Sequence, residues 1–120
     1  DILGSMEYAC AVAGSKLIMV LGHASCGAVK AACDGVELGH ITDLLASIQP
    51  AVDKVQAARQ STPTSQDADF VNATIVENVR LTMGRILEKS SILKDLHSAG
   101  TIDVVGGVYQ LDSGEVTWLD

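Results

Sequence analysis

The sequence predicts an α/β fold: a mainly parallel sheet flanked by helices, finished by a C-terminal antiparallel hairpin strand. Three observations carry this. Apolar residues make up 48% of the chain but aromatic ones only 3%, so Leu, Ile, Val and Ala must fill the core, as they do where helices cover a parallel sheet. Two strand-length apolar runs, Lys16 to Leu21 and Ile102 to Leu111, lie far apart with helical periodicity between them. A turn signal, Asp112-Ser113-Gly114, follows the second run, and Val116 to Leu119 then returns antiparallel. At 120 residues the chain reads as a single domain over 1–120.

Each element has its own signal. Ile2, Leu3, Met6, Ala9, Cys10 and Ala13 recur at helical spacing, and Gly14 stops that helix. Lys16 to Leu21 follows as a buried strand ending at Gly22. Ala24 to Cys33 is a short helix of small residues closed by Asp34-Gly35. Ile41, Leu44, Leu45, Ile48, Val52 and Val55 form an amphipathic helix, capped by Thr42 or Asp43 and kinked or divided at Pro50. The polar stretch 60–66 is a loop. Asp67 or Asp69 then caps a long helix with Phe70, Val76, Val79, Met83, Ile86 and Leu87 toward the core and Gly84 as its weak position. Ser90 or Ser91 starts a last helix, with Ile92, Leu93 and Leu96 apolar, ending at Gly100. Gly106-Gly107 interrupts the second strand. So few strands imply that one is missing or comes from a partner.

Composition excludes several roles. A net charge of −7 and a pI near 4.7 argue against nucleic acid and anionic membrane surfaces as partners. No apolar stretch reaches the length of a membrane span. Three cysteines, an odd number, favour a reducing, cytoplasmic setting. The chain starts at Asp1 with no signal-like segment, which leaves a removed targeting peptide open. Cys10 and Cys33 are expected to be core thiols. Cys33 would lie about 10 Å along a helix from Cys26, too far to share one metal with it.

The chemistry concentrates at His23 and Cys26 in Leu21-Gly22-His23-Ala24-Ser25-Cys26-Gly27. Imidazole and thiol are both strong zinc ligands, and the carboxyl end of a strand is where open α/β sheets gather ligands. A spacing of three turns both toward one point if the turn tightens into a helix. Gly22 and Gly27 flank the pair, giving the backbone close approach either to a metal or to packed neighbours. Ser25 either hydrogen-bonds around the ligands or caps the small helix, and capping is the commoner use. His40 and His97 are read as structural, the latter in a helix's last turn. Tyr109 and Trp118 read as core aromatics, and Glu77, Arg80, Arg85 and Glu88 as a solvated helix face. Glycines 4, 14, 22 and 27 form no phosphate loop and no Lys-Ser/Thr follows one, which leaves a nucleotide-binding α/β domain a remote third reading.

Three blocks, in order, resemble the β-class carbonic anhydrases. They are Gly4-Ser5-Met6-Glu7-Tyr8-Ala9 running through Ala13-Gly14-Ser15-Lys16; Gly22-His23-Ala24-Ser25-Cys26-Gly27-Ala28; and Glu77-Asn78-Val79 with Ser91-Ile92-Leu93 and Val105-Gly106-Gly107-Val108-Tyr109-Gln110-Leu111-Asp112-Ser113-Gly114. The resemblance implies a Zn2+ cofactor held by two cysteines and a histidine, with His23 and Cys26 as the later pair of ligands. It also implies reversible hydration of carbon dioxide to bicarbonate, and a homodimer or larger homo-oligomer with the active site near the subunit interface. The family's Cys-x-Asp-x-Arg motif has no counterpart here, so the third protein ligand and the catalytic Asp-Arg pair are missing. The chain therefore reads as a carboxyl-terminal portion, incomplete at the N-terminus, weak or inactive alone. The alternative is a catalytically dead fragment whose role is assembly.

Overall fold

The structure, a computed structural model, describes residues 1–119. Helix α1 (Ile2–Glu7) runs into a π-helical stretch, Tyr8–Val12, in which the Ala13 N–H donates to the Tyr8 carbonyl at 3.0 Å. Together they fill the extent expected of one α-helix. Strand β1 (Leu17–His23) begins one residue later than predicted and runs two residues further, so His23 is itself a strand residue.

Helix α2 (Gly27–Cys33) starts three residues after its predicted beginning, because Ala24 and Ser25 form a turn. The predicted 41–55 helix is two helices, α3 (Gly39–Ala46) and α4 (Gln49–Arg59), with Pro50 in the first turn of α4, where its missing N–H is tolerated. Thr42 is no cap: within α3, its hydroxyl accepts from the Leu38 N–H at 2.8 Å. Helix α5 (Ala68–Lys89) is capped by Asp67, which accepts from the Phe70 N–H at 3.1 Å. Helix α6 (Ser91–Ser98) is capped by Ser90, which accepts from the Leu93 N–H at 3.1 Å.

Strands β2 (Asp103–Tyr109) and β3 (Val116–Trp118) complete a three-stranded sheet in the order β1-β2-β3, the first pair parallel and the second antiparallel. The glycine pair does not break β2. It lets the sheet pack closely instead. A Cβ on Gly106 would lie 2.8 Å from Val79 Cγ1 and 2.6 Å from Met83 Sδ, and one on Gly22 would lie 2.8 Å from Val79 Cγ2, so α5 rests directly on this face.

One face of the sheet is covered and the other is not. Ile18, Val104 and Val108 are buried toward the helices, whereas Leu17, Met19 and Leu21 alternate with them and are about half exposed. The expectation of a buried β1 is therefore corrected. Nothing among the described residues covers its second face, and its outer edge has no neighbour. Trp118 is 58% exposed rather than core, and Tyr109 is half-buried.

The core has two parts. One gathers Val29, Leu45, Val52, Phe70 and Ile75 where α2, α3 and α4 meet α5; the other gathers Cys10, Ile18, Ile86 and Leu93 beneath α1 and α6. Cys10 and Cys33 are buried thiols, as expected. The second part is tied by Ser90, whose hydroxyl donates to Glu7 Oε2 at 2.6 Å. Glu77, expected in solvent, is only 14% exposed and pairs with Lys54 Nζ at 2.7 Å.

Candidate metal centre

The end of β1 is fixed from both sides. Gly22 is wedged against Val79 and Ile75 of α5. His23 pairs with Tyr109 in the parallel register, and the Ala24 N–H extends the ladder by donating to the Tyr109 carbonyl at 2.9 Å. The chain then leaves the sheet through Ala24-Ser25. Ser25 has a φ of 54°, in the left-handed region that serine seldom occupies. Cys26 follows in extended conformation as the N-cap of α2, and its carbonyl accepts from the Lys30 N–H at 3.0 Å.

His23 is exposed, and its Nδ1 lies 3.0 Å from the Ala24 carbonyl. A carbonyl only accepts, so this contact requires the proton on Nδ1 and leaves the Nε2 lone pair for an outside partner. Cys26 is a free, half-buried thiol, packed on one side against the core formed by α2, α4 and α5. The two donors therefore bracket a two-residue turn. They do not share a helix face, as a spacing of three in a helix would have required.

The other predicted site residues divide. Gly22 serves helix–sheet packing. Gly27 does not, since a Cβ there would meet nothing within 4 Å. Ser25 is not a helix cap: α2 has no side-chain cap, and its N-cap residue is Cys26. A pocket of about 190 Å³ opens beside the turn, lined by Ser25, Lys30, Ser65, Ala68, Val71 and Asn72. Its far wall is pinned by Asp34, which accepts from the Ser65 N–H at 2.7 Å. The Ser65 hydroxyl, and then this N–H, hold the Asp34 carboxyl below the usual carboxylate range. Burial pushes the Cys33 thiol up, in keeping with a core role.

Chemically, the pair fits zinc as half of a protein shell. Among the described residues no cluster of three His, Cys, Asp or Glu side chains is arranged to hold a metal ion. A larger apolar groove of about 350 Å³ lies elsewhere, between α1, the open edge of β1 and the end of α5, and offers no metal donor. Sequence reasoning could name both candidate donors, since donor chemistry belongs to side chains. It missed the Ala24 and Tyr109 carbonyls, because every residue carries one and no pattern marks those that matter.

A family model described as "Carbonic anhydrase" matches residues 1–116. Carbonic anhydrase 2 of Mycobacterium tuberculosis (strain H37Rv) is 34% identical over 124 aligned residues, which is 99% of this chain and 56% of the relative. A carbonic anhydrase of Mycolicibacterium smegmatis is 32% identical over 120 residues, covering 96% of this chain and 54% of that one. The chain thus spans about half the length of the curated relatives it matches. Among solved structures, the β-carbonic anhydrase CafA of Aspergillus fumigatus superposes with a TM-score of 0.81 at 24% identity, over 100% of this chain and 57% of that one. Two tetrameric β-carbonic anhydrases of Sordaria macrospora are represented by a match with a TM-score of 0.79 at 22% identity, over 99% of this chain and 60% of that one.

Proposed function

The chain belongs to the β-class carbonic anhydrase family, and from that premise we propose that its protein catalyses zinc-dependent, reversible hydration of carbon dioxide to bicarbonate. The observation that carries this is the His23 ring. It stands at the end of a parallel strand with Nδ1 held by a carbonyl and Nε2 free, three residues before a free thiol.

In this reading His23 Nε2 and Cys26 Sγ hold the ion, and Cys26 releases its proton on binding. Zinc supplies the Lewis acidity that makes water a nucleophile near neutral pH. The chain's own contribution is positional. Gly22 lets the strand end lie against α5 and Tyr109 anchors the turn; the 190 Å³ pocket beside Ser25 and Lys30 is lined by neither His23 nor Cys26. No Cys-x-Asp-x-Arg occurs in these 120 residues, so a third protein ligand and an Asp-Arg pair have no counterpart among them. The isolated chain should accordingly bind zinc weakly and turn over slowly or not at all.

Assembly belongs to the same proposal. The half-exposed Leu17, Met19 and Leu21, with Trp118 on the last strand, support a homodimer or larger homo-oligomer. They equally favour the second reading, a fragment retained for assembly. Three free thiols support a cytoplasmic setting. Metal analysis and a carbon dioxide hydration assay on this chain test the first reading. We expect sub-stoichiometric zinc after dialysis and little turnover. Tightly held equimolar zinc with brisk turnover would overturn the incomplete-site account, and indifference of fold and assembly to zinc and chelator would favour the scaffold.

A further inference from the structure

We propose that Ser25 is a positioning residue for His23: its left-handed backbone turns the Ala24–Ser25 peptide so that the Ala24 carbonyl faces the ring and keeps the proton on Nδ1. The proposal rests on the reading of His23 as a zinc ligand, but it concerns the geometry of the metal-free chain.

Both ends of the turn are held. On one side the Ala24 N–H is bonded to the Tyr109 carbonyl at 2.9 Å; on the other the Cys26 carbonyl is bonded to the Lys30 N–H at 3.0 Å and opens α2. Between these anchors the chief freedom left is rotation of the central peptide. In tight turns the sign of φ at the third residue decides which way that peptide faces, as the difference between the two commonest turn types illustrates. Ser25 has a φ of 54°, and only Gln60 among the other non-glycine described residues is also positive. Gln60 has an ordinary reason, since it ends a helix. Ser25 has none of that kind. It caps nothing, and among the described residues its side chain makes no hydrogen bond. What its backbone does accomplish is the 3.0 Å contact between the Ala24 carbonyl and His23 Nδ1. A carbonyl in that place selects one neutral tautomer and fixes which nitrogen is offered outward.

The test reads the ring directly. Nitrogen-15 spectra of histidine-labelled, metal-free protein, at a pH where His23 is neutral, report which nitrogen carries the proton. We expect the Nδ1–H form in the wild type and in Ser25→Gly, which keeps the left-handed region open. Ser25→Val, whose branched side chain resists that region, should move most of the ring to Nε2–H. A wild-type ring protonated at Nε2 would overturn the proposal, and so would a folded Ser25→Val chain with the wild-type pattern. The wild-type measurement decides even if that variant fails to fold. Failure of the chain to bind zinc under any condition would sink the functional reading and leave this result untouched.

Discussion

At the scale of single residues, the site depends on contacts that leave no room for change. Val79 is stiff at χ1 and lies 2.8 Å from where a Gly22 Cβ would be, with Ile75 Cγ2 at 3.3 Å. Gly22→Ala should therefore destabilise the chain by about 1–3 kcal/mol through overpacking. Urea unfolding should show a lower midpoint at an unchanged slope; an unchanged midpoint would mean that α5 yields easily. Asp34 acts through charge. Its carboxyl titrates below the usual range in the folded state, so the stabilisation it gives is complete above its unfolded pKa of about 3.9 and disappears as pH falls through the lower folded value. Asp34→Asn should thus melt below the wild type at neutral pH, with the two melting temperatures converging in acid. A gap that stays constant with pH would refute the Ser65 bonds as its cause. His23 and Cys26 could be named as candidates from the sequence because their donor atoms are their own. The left-handed state of Ser25 could not, because it depends on how the finished fold holds the two ends of the turn.

At the scale of elements, periodicity located the helices but only part of each buried face: Ile41, Leu44 and Ile92, read as apolar-face residues, are exposed. Spacing put Phe70, Val79 and Ile86 on the core face of α5 but missed the buried Val71, Thr74 and Ile75, and it tied the division of the 41–55 helix to Pro50, which lies in the first turn of α4. The start of α2 was misplaced because small residues suit a helix and a turn equally, and the Ser25 backbone decided between them. The joint between α5 and α6 shows what spacing cannot carry. Ser90 accepts from the Leu93 N–H as a cap, and its hydroxyl donates 2.6 Å away to Glu7, near the other end of the sequence. Ser90→Ala removes the cap and leaves a half-buried carboxylate oxygen without its donor, a loss of about 2 kcal/mol. Thermal unfolding of Ser90→Ala, Glu7→Ala and the double variant should show coupling between the two positions. Strictly additive effects would mean that the contact contributes nothing of its own.

At the scale of the whole molecule, the uncovered sheet face matters most. A run such as Leu17-Ile18-Met19-Val20-Leu21 reads as buried on both sides, and the sequence held no sign that one side would stay open, since its alternate positions are equally apolar. Half-exposed Leu, Met and Leu on alternate positions form a patch of the kind that marks an interface. Sedimentation of the chain should reveal species larger than a monomer, and Met19→Lys with Leu21→Lys should shift them toward monomer. A monodisperse monomer in both cases would reject the patch as an assembly surface. The pairing of β1 with β2 has an effect of its own on how the molecule comes to exist. It joins Leu17 to Asp103 and Ala24 to Tyr109, so the turn between His23 and Cys26 gains its anchor only when β2, far along the sequence, is available. Such distant closure makes for slow folding. The turn that carries His23 and Cys26 is therefore among the last of these residues to acquire its shape.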